Sequence, residues 1–535
     1  MHTLRPLFRA LPVVSLALLG ACAQQVEDID RVDDNLLPKS MFDGQWYMLN
    51  TVVDTNATAT QTFAGLQGPL ERVHFQFSRD HLLARRVHED LIGMDTVATN
   101  IESQPSFDGS IVAAYGAQHA DVQRQYNAST GEQSNVIGEN GSDRRWYEQE
   151  YVRPSWSNNL IETNVNGEFA GYIEGGAGTQ IMIQAEESEG SLNVEYDDDG
   201  NAVYFDFTVR YIMPTPWDSC FLMVGFPGWG VDCGTEEVVV RTSFRKVDTE
   251  DVVNAHVPRE FDDFDMNLFG FFQKINCVFD ERYDCNDYSR VELATIHNIW
   301  TNNRDADGRA RPYRDRTPKP IVYYLSEEYP IDLIDEAYEI AEQFGRAFQR
   351  TAAGVQGKEI SEVPRMFYAC LNPGTEDGTL PESVRSITRN PDDLRLMEEA
   401  FAASAEGYRL GHCKRPGEVK NTGDLRYNFF AWRTDPAAPW YGYGPSAADP
   451  LTGEIIHAAA NFNGGHLSRD AERVMYIIRI VEGDLTAEEY GYGVNIQEYF
   501  DKLRAEADQD LYFGRDLIVD SAEKSARPTV AFDRI

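Results

Sequence analysis

The hydrophobic pattern divides the chain into a strand-rich first half and a second half where strands alternate with helices. Trp46, Tyr47, Met48 and Leu49 open the folded part as an apolar strand. Val73, Phe75 and Phe77 alternate with His74 and Gln76, and Leu82–Val87 follows after a Ser-Arg-Asp turn, which predicts a hairpin. Residues 91–142 are rich in Gly, Ser, Asn and Gln and read as long loops around short strands. Strand patterning resumes at 146–156, 159–165, 181–183, 192–196 and 203–213, and is strongest at 237–247, with Val238, Val239 and Val240 in a row. From Lys319 the period changes. Lys319–Leu325 predicts a strand, and Leu333, Ala337, Ile340, Ala341, Phe344 and Phe348 predict a helix over 332–352. Met366–Ala369 predicts a second strand, and parallel pairing of the two would make a strand-helix-strand unit. A helix is expected over 392–408, strands over 425–432 and 455–462, a Gly/Pro-rich crossing over 437–450, and helices over 467–481 and 487–511.

The expected class is therefore α+β multidomain. A β-rich N-terminal domain spans 41–247, a connector 248–318, and an α/β domain 319–535 with an insertion at 372–423. The amino terminus reads as a targeting segment. Arg5 and Arg9 precede an apolar run, and Leu19-Gly20-Ala21-Cys22 resembles a bacterial lipobox, which predicts a signal peptide over 1–22 and a lipid on Cys22. Ala23 after the cysteine fits outer-membrane sorting, and 23–40 reads as an acidic tether. The expected location is the bacterial cell envelope, with the lipid bilayer as partner.

The net charge of -39 argues against nucleic acid as a partner. Six cysteines remain after Cys22, and an exported chain can oxidise them. They allow 15 pairings. Sequence proximity suggests Cys220 with Cys233, Cys277 with Cys285 and Cys370 with Cys413, the last bracketing most of the insertion. Their spacings do not match a zinc module. His74, His81 and His88 read as sheet residues. The acidic run 195–200 lacks the ligand alternation of a calcium loop and reads as a solvent-facing turn. No G-x-S-x-G elbow is present.

The stretch 424–463 resembles one in a family of large secreted bacterial zinc-dependent metallopeptidases with a zincin catalytic domain. The matching residues are Arg426-Tyr427-Asn428, Trp432, Tyr443-Gly444-Pro445-Ser446, Asp449-Pro450 and Thr452-Gly453-Glu454-Ile455. The resemblance runs over residues 319–463, beginning at Lys319-Pro320-Ile321 and departing at Gln343–Phe348. It implies a zincin-like domain, polypeptide substrate, and zinc as the family's cofactor. It also implies that residues 452–462 form the substrate-pairing edge strand or its neighbour. Tyr443, Gly444, Pro445, Asp449, Glu454 and His457 are the candidate cleft residues. The family's H-E-x-x-H helix supplies two zinc ligands and the base, and this sequence has no such motif. No metal ligand or catalytic residue is therefore assigned. The zincin-like domain is expected to be incomplete, with the zinc helix beyond these residues. The chain would then be the non-catalytic N-terminal portion of a peptide-bond hydrolase, or else an inactive binding or scaffold lipoprotein. A third reading makes the β-rich half the working domain of an unrelated envelope binding protein.

Overall fold

The computed structural model describes residues 27–55, 62–87, 91–92, 109–127, 129–161, 184–187, 192–214, 235–278, 290–386, 390–434, 440–498 and 501. Cys22, His88, residues 167–178 and 181–183, Cys220, Cys233 and Cys285 lie outside them, as does the side chain of Cys277. The architecture is mixed α+β, a large N-terminal β-sheet followed by mixed helix and sheet.

The chain forms two units. The smaller takes residues 1–41, 77–81 and 117–154. In it, Gln133–Asn140 pairs antiparallel with the far end of Ile111–Tyr126 and parallel with Ile29–Asp30. Arg153 bonds Glu139 at 2.5 Å, and Lys39 donates to the Trp146 carbonyl at 2.7 Å. The 16-residue strand Ile111–Tyr126 falls where loops around short strands were expected. Its Ala, Gly, Gln and His residues carry little intrinsic strand preference, so sheet pairing and burial set its conformation.

The larger unit holds the remaining residues. Its first half is built on β1 (Gln45–Thr55), β2 (Glu71–Phe77), β3 (His81–Arg86), β4 (Asn193–Tyr196), β5 (Ala202–Pro214) and β6 (Thr235–Lys246). β1 pairs antiparallel with both β2 and β6, and β6 continues to β5 and on to β4. Alternation of apolar residues sends one face inward. There Phe205 stacks on Phe244 at 4.5 Å and Trp156 on Phe207 at 4.3 Å, with Trp46 fully buried beside them. Each such buried ring stabilises the unit by roughly 1.5–3 kcal/mol.

The second half is a layered sheet of β7 (Ile321–Leu325), β8 (Phe367–Cys370), β9 (Asn428–Arg433), β10 (Gly442–Tyr443), β11 (Ser446–Ala448) and β12 (Ile455–Asn463). The order is β8-β7-β9-β12, all parallel, and β10 and β11 close the β12 side antiparallel. Helices α1 (Ile334–Gln356) and α2 (Pro391–Arg409) cover one face. On α1 the small residues Ala337, Ala341 and Gly345 are buried. A Cβ on Gly345 would lie 3.6 Å from Phe367, so the helix rides close on β8. α1 stops at Gly357, whose φ of 66° suits a left-handed C-cap. α2 starts at Asn390, whose side chain accepts from the Asp392 amide, with Pro391 in the first turn. The other face carries Tyr324, Tyr368, Tyr427, Phe429 and the Cys370–Cys413 disulfide. This bridge closes the base of the insertion.

α3 (Gly464–Glu482) follows β12 directly, with Asn463 capping it. The expected helix 487–511 is instead interrupted: Ala487–Gly491 ends at Tyr492 and Gly493, whose φ of 76° leaves the helical region, before helix resumes at 494–498. Glycine tolerates that φ without steric penalty, which makes Gly493 the local break.

Candidate functional site

The crossing between β9 and β12 supplies most of the sequence-predicted site residues. Two short strands form within it, because β12 offers a free edge that Tyr441–Ala448 can pair. The Tyr441 carbonyl accepts from the Asn463 amide at 3.0 Å and the Pro445 carbonyl from Ala459 at 3.1 Å. The odd-numbered residues thus turn their backbone toward β12. Gly442 and Gly444 turn theirs outward, and both are exposed. No outer partner meets those groups among the described residues. Tyr443 is half-buried against Phe63 at 5.4 Å and Trp440 at 5.8 Å. Past Pro445 the crossing turns inward, and Ala447, Asp449 and Pro450 are buried.

Asp449 ties this turn to the β-rich half. Its Oδ1 accepts from the Leu451 amide at 2.7 Å, an Asx turn. Its Oδ2 accepts from Tyr47 Oη at 2.5 Å and from Arg72 at 3.4 Å. Burial, with the Asp449 charge second, raises the Tyr47 pKa well above the phenol range. His457 has no exposed surface. Its Nδ1 donates to the Tyr427 carbonyl at 2.6 Å, and Gln67 Nε2 donates to its Nε2 at 2.8 Å. Burial lowers its pKa to about 4, so it is neutral near pH 7. His466 lies in the first turn of α3, its ring 5.6 Å from that of Tyr441. Each histidine has its own neighbours, and no group of three metal-ligating side chains occurs among the described residues.

Glu454, another of the predicted cleft residues, lines a cavity. The cavity is about 460 Å³ and opens at the starts of β7, β9 and β12. Its walls combine Pro320, Ile321, Val322, Ile455 and Ile456 with the polar Asn298, Tyr324, Tyr427 and Asn428, and its rim is cationic: Arg245, Lys319, Lys414 and Arg426, with His297 and His412 beside them. Glu454 is the single carboxylate in the lining. Burial raises its pKa, opposed by a hydrogen bond with Asn298 and by the charge of Lys319. Arg426 is held by Asp424 at 2.6 Å and by Glu195 of β4, which also pairs with Arg415. Its guanidinium stacks 3.9 Å from the Tyr204 ring. The four cations are far from one another in the chain or on different segments: they come from β6, the approach to β7, the residue after Cys413 and the approach to β9. Only the acidity of the rest of the chain could have drawn attention to them.

No protein-family model, curated protein or solved structure matches the chain. The functional reading therefore rests on the geometry and on the resemblance between residues 319 and 463.

Proposed function

We propose that this chain is an envelope lipoprotein, anchored at Cys22, that binds an extended polypeptide along the outer edge of β10. In this reading the α/β half is zincin-like and supplies the substrate-pairing side of a peptide-bond hydrolase. The sequence carries no H-E-x-x-H motif, and the reading assigns no zinc ligand or catalytic base. One observation carries the reading: the outward backbone groups of the exposed Gly442 and Gly444 lie at the antiparallel margin of an otherwise parallel sheet. An extended chain can add there by main-chain hydrogen bonds.

The test is fluorescence anisotropy with a fluorescein-labelled unfolded polypeptide, carboxymethylated α-lactalbumin. Wild type and Gly442→Ala bind alike, because a Cβ at 442 meets only ordinary contact, 3.6 Å from the Asn461 carbonyl. Gly442→Pro loses the outward N–H and with it the binding, while the pairing to β12 survives. Equal binding by Gly442→Pro, or none by wild type, sinks the proposal. Separately, Cys22→Ser is expected to shift the protein from the membrane to the soluble fraction.

A further inference from the structure

The rim of the cavity has too much positive charge for a chain of this composition. Acidic residues outnumber basic ones 87 to 48, yet four cations and one carboxylate surround this opening. Arg245, Lys319 and Lys414 form no ion pair among the described residues. Neighbours along one helix or strand cannot explain the cluster, since each cation arrives on a different segment. Two of the segments are fixed. The Lys414 amide donates to Tyr324 Oη at 2.6 Å, one residue beyond the buried Cys413 of the disulfide. Arg426 is locked between Asp424 and the Tyr204 ring. A cleft lined mostly by one sign of charge concentrates the field of those charges on whatever enters it.

We infer that this cavity binds a compact, multiply charged anion, a polycarboxylate or a phosphorylated compound. Its charged groups meet Lys319, Lys414 and Arg245, and any carbon body it carries rests on Ile321, Val322 and Ile455. The volume lies within the range of about 300–1,000 Å³ usual for small-molecule pockets. Desolvation favours the neutral form of Glu454, which reduces its opposition to an anion. Polycarboxylates and phosphorylated compounds share the required chemistry. The inference is independent of peptide binding at β10, because the two places share no residue.

Isothermal titration calorimetry on the full chain tests it, with citrate and pyrophosphate as probes and acetate and spermidine as controls. Citrate, pyrophosphate or both should bind with one-site stoichiometry, and whichever is stronger identifies the carboxylate or the phosphate source. Lys319→Gln with Lys414→Gln should weaken the binding by roughly tenfold or more, the loss of two charge-assisted contacts. Both side chains are exposed, so the melting temperature should not change. Lys358→Gln with Arg350→Gln removes the same charge from exposed positions at α1 and its C-terminal end, and should bind as wild type. If neither polyanion binds, or if the two double variants behave alike, the inference is wrong. Gly442→Pro should leave polyanion binding intact, so failure at one site is separable from failure at the other.

Discussion

Tyr47 donates its phenolic hydrogen to Asp449 at 2.5 Å, across 402 positions of sequence. The bond joins β1 to the turn that leads into β12, and both residues are buried. Tyr47→Phe keeps the ring and removes the donor. Asp449 Oδ2 would retain only the long contact to Arg72. A buried acceptor stripped of a donor costs about 1–3 kcal/mol. Urea unfolding should show that loss for Tyr47→Phe, with no change for Tyr196→Phe, whose ring is half exposed.

Cys370 and Cys413 are both buried and joined, closing a loop with a sequence separation of 43. Loop-closure entropy for that span predicts stabilisation of about 4 kcal/mol, an upper figure because native strain and residual structure reduce it. Replacing both cysteines with alanine should lower the guanidinium midpoint accordingly. Because the bridge holds His412 and Lys414 at the cavity, the same double variant should also weaken citrate or pyrophosphate binding. Loss of stability with unchanged binding would detach the bridge from the site.

Legibility followed local contrast. Val238–Val240 and Ile321–Leu325 announce themselves as strands because branched and aromatic residues run together. Both form strands within a residue or two of expectation. Ser446–Ala448 forms a strand only because β12 offers it a ladder, and nothing in Ser-Ala-Ala encodes that. The candidate cleft residues follow from the resemblance, which implies one shared cleft. The turn at Pro445 instead sends Asp449 inward, while Gly444 stays outside and the strand alternation buries His457. The cationic rim was illegible because its members lie on different segments and converge only through topology.

Gly464 begins α3 where the Trp432 indole crosses it. A Cβ there would lie 2.2 Å from Trp432 Nε1. Gly464→Ala must therefore displace a large ring from the end of β9, an overpacking expected to destabilise by about 1–3 kcal/mol. Gly465 is exposed, and its nearest neighbour to a new Cβ is the Asn463 side chain at 3.4 Å. Gly465→Ala should be neutral or stabilise by up to about 1 kcal/mol through helix propensity. Thermal melts of the pair report whether α3 is seated on β9, and Trp fluorescence should shift for Gly464→Ala alone.

His457, His297 and His256 each have a pKa lowered to about 4, burial being the first cause. At His457 the Tyr427 carbonyl and the Asp424 charge oppose the shift, and Arg245 adds to it. The folded values lie below the ordinary 6.5, so the unfolded chain takes up protons first as pH falls. Stability from these groups is therefore complete above pH 6.5 and is lost as pH falls toward 4. For His457 alone the loss between about pH 7.5 and pH 5 is roughly 2 kcal/mol. His457→Asn keeps a donor for the Tyr427 carbonyl and removes the titration. It leaves the Gln67 amide short of an acceptor, so the variant should be less stable at neutral pH. Its unfolding free energy should fall less steeply on acidification than that of wild type. Parallel slopes would mean that His457 titrates normally in the folded chain, and the acid sensitivity would then belong to the other two histidines.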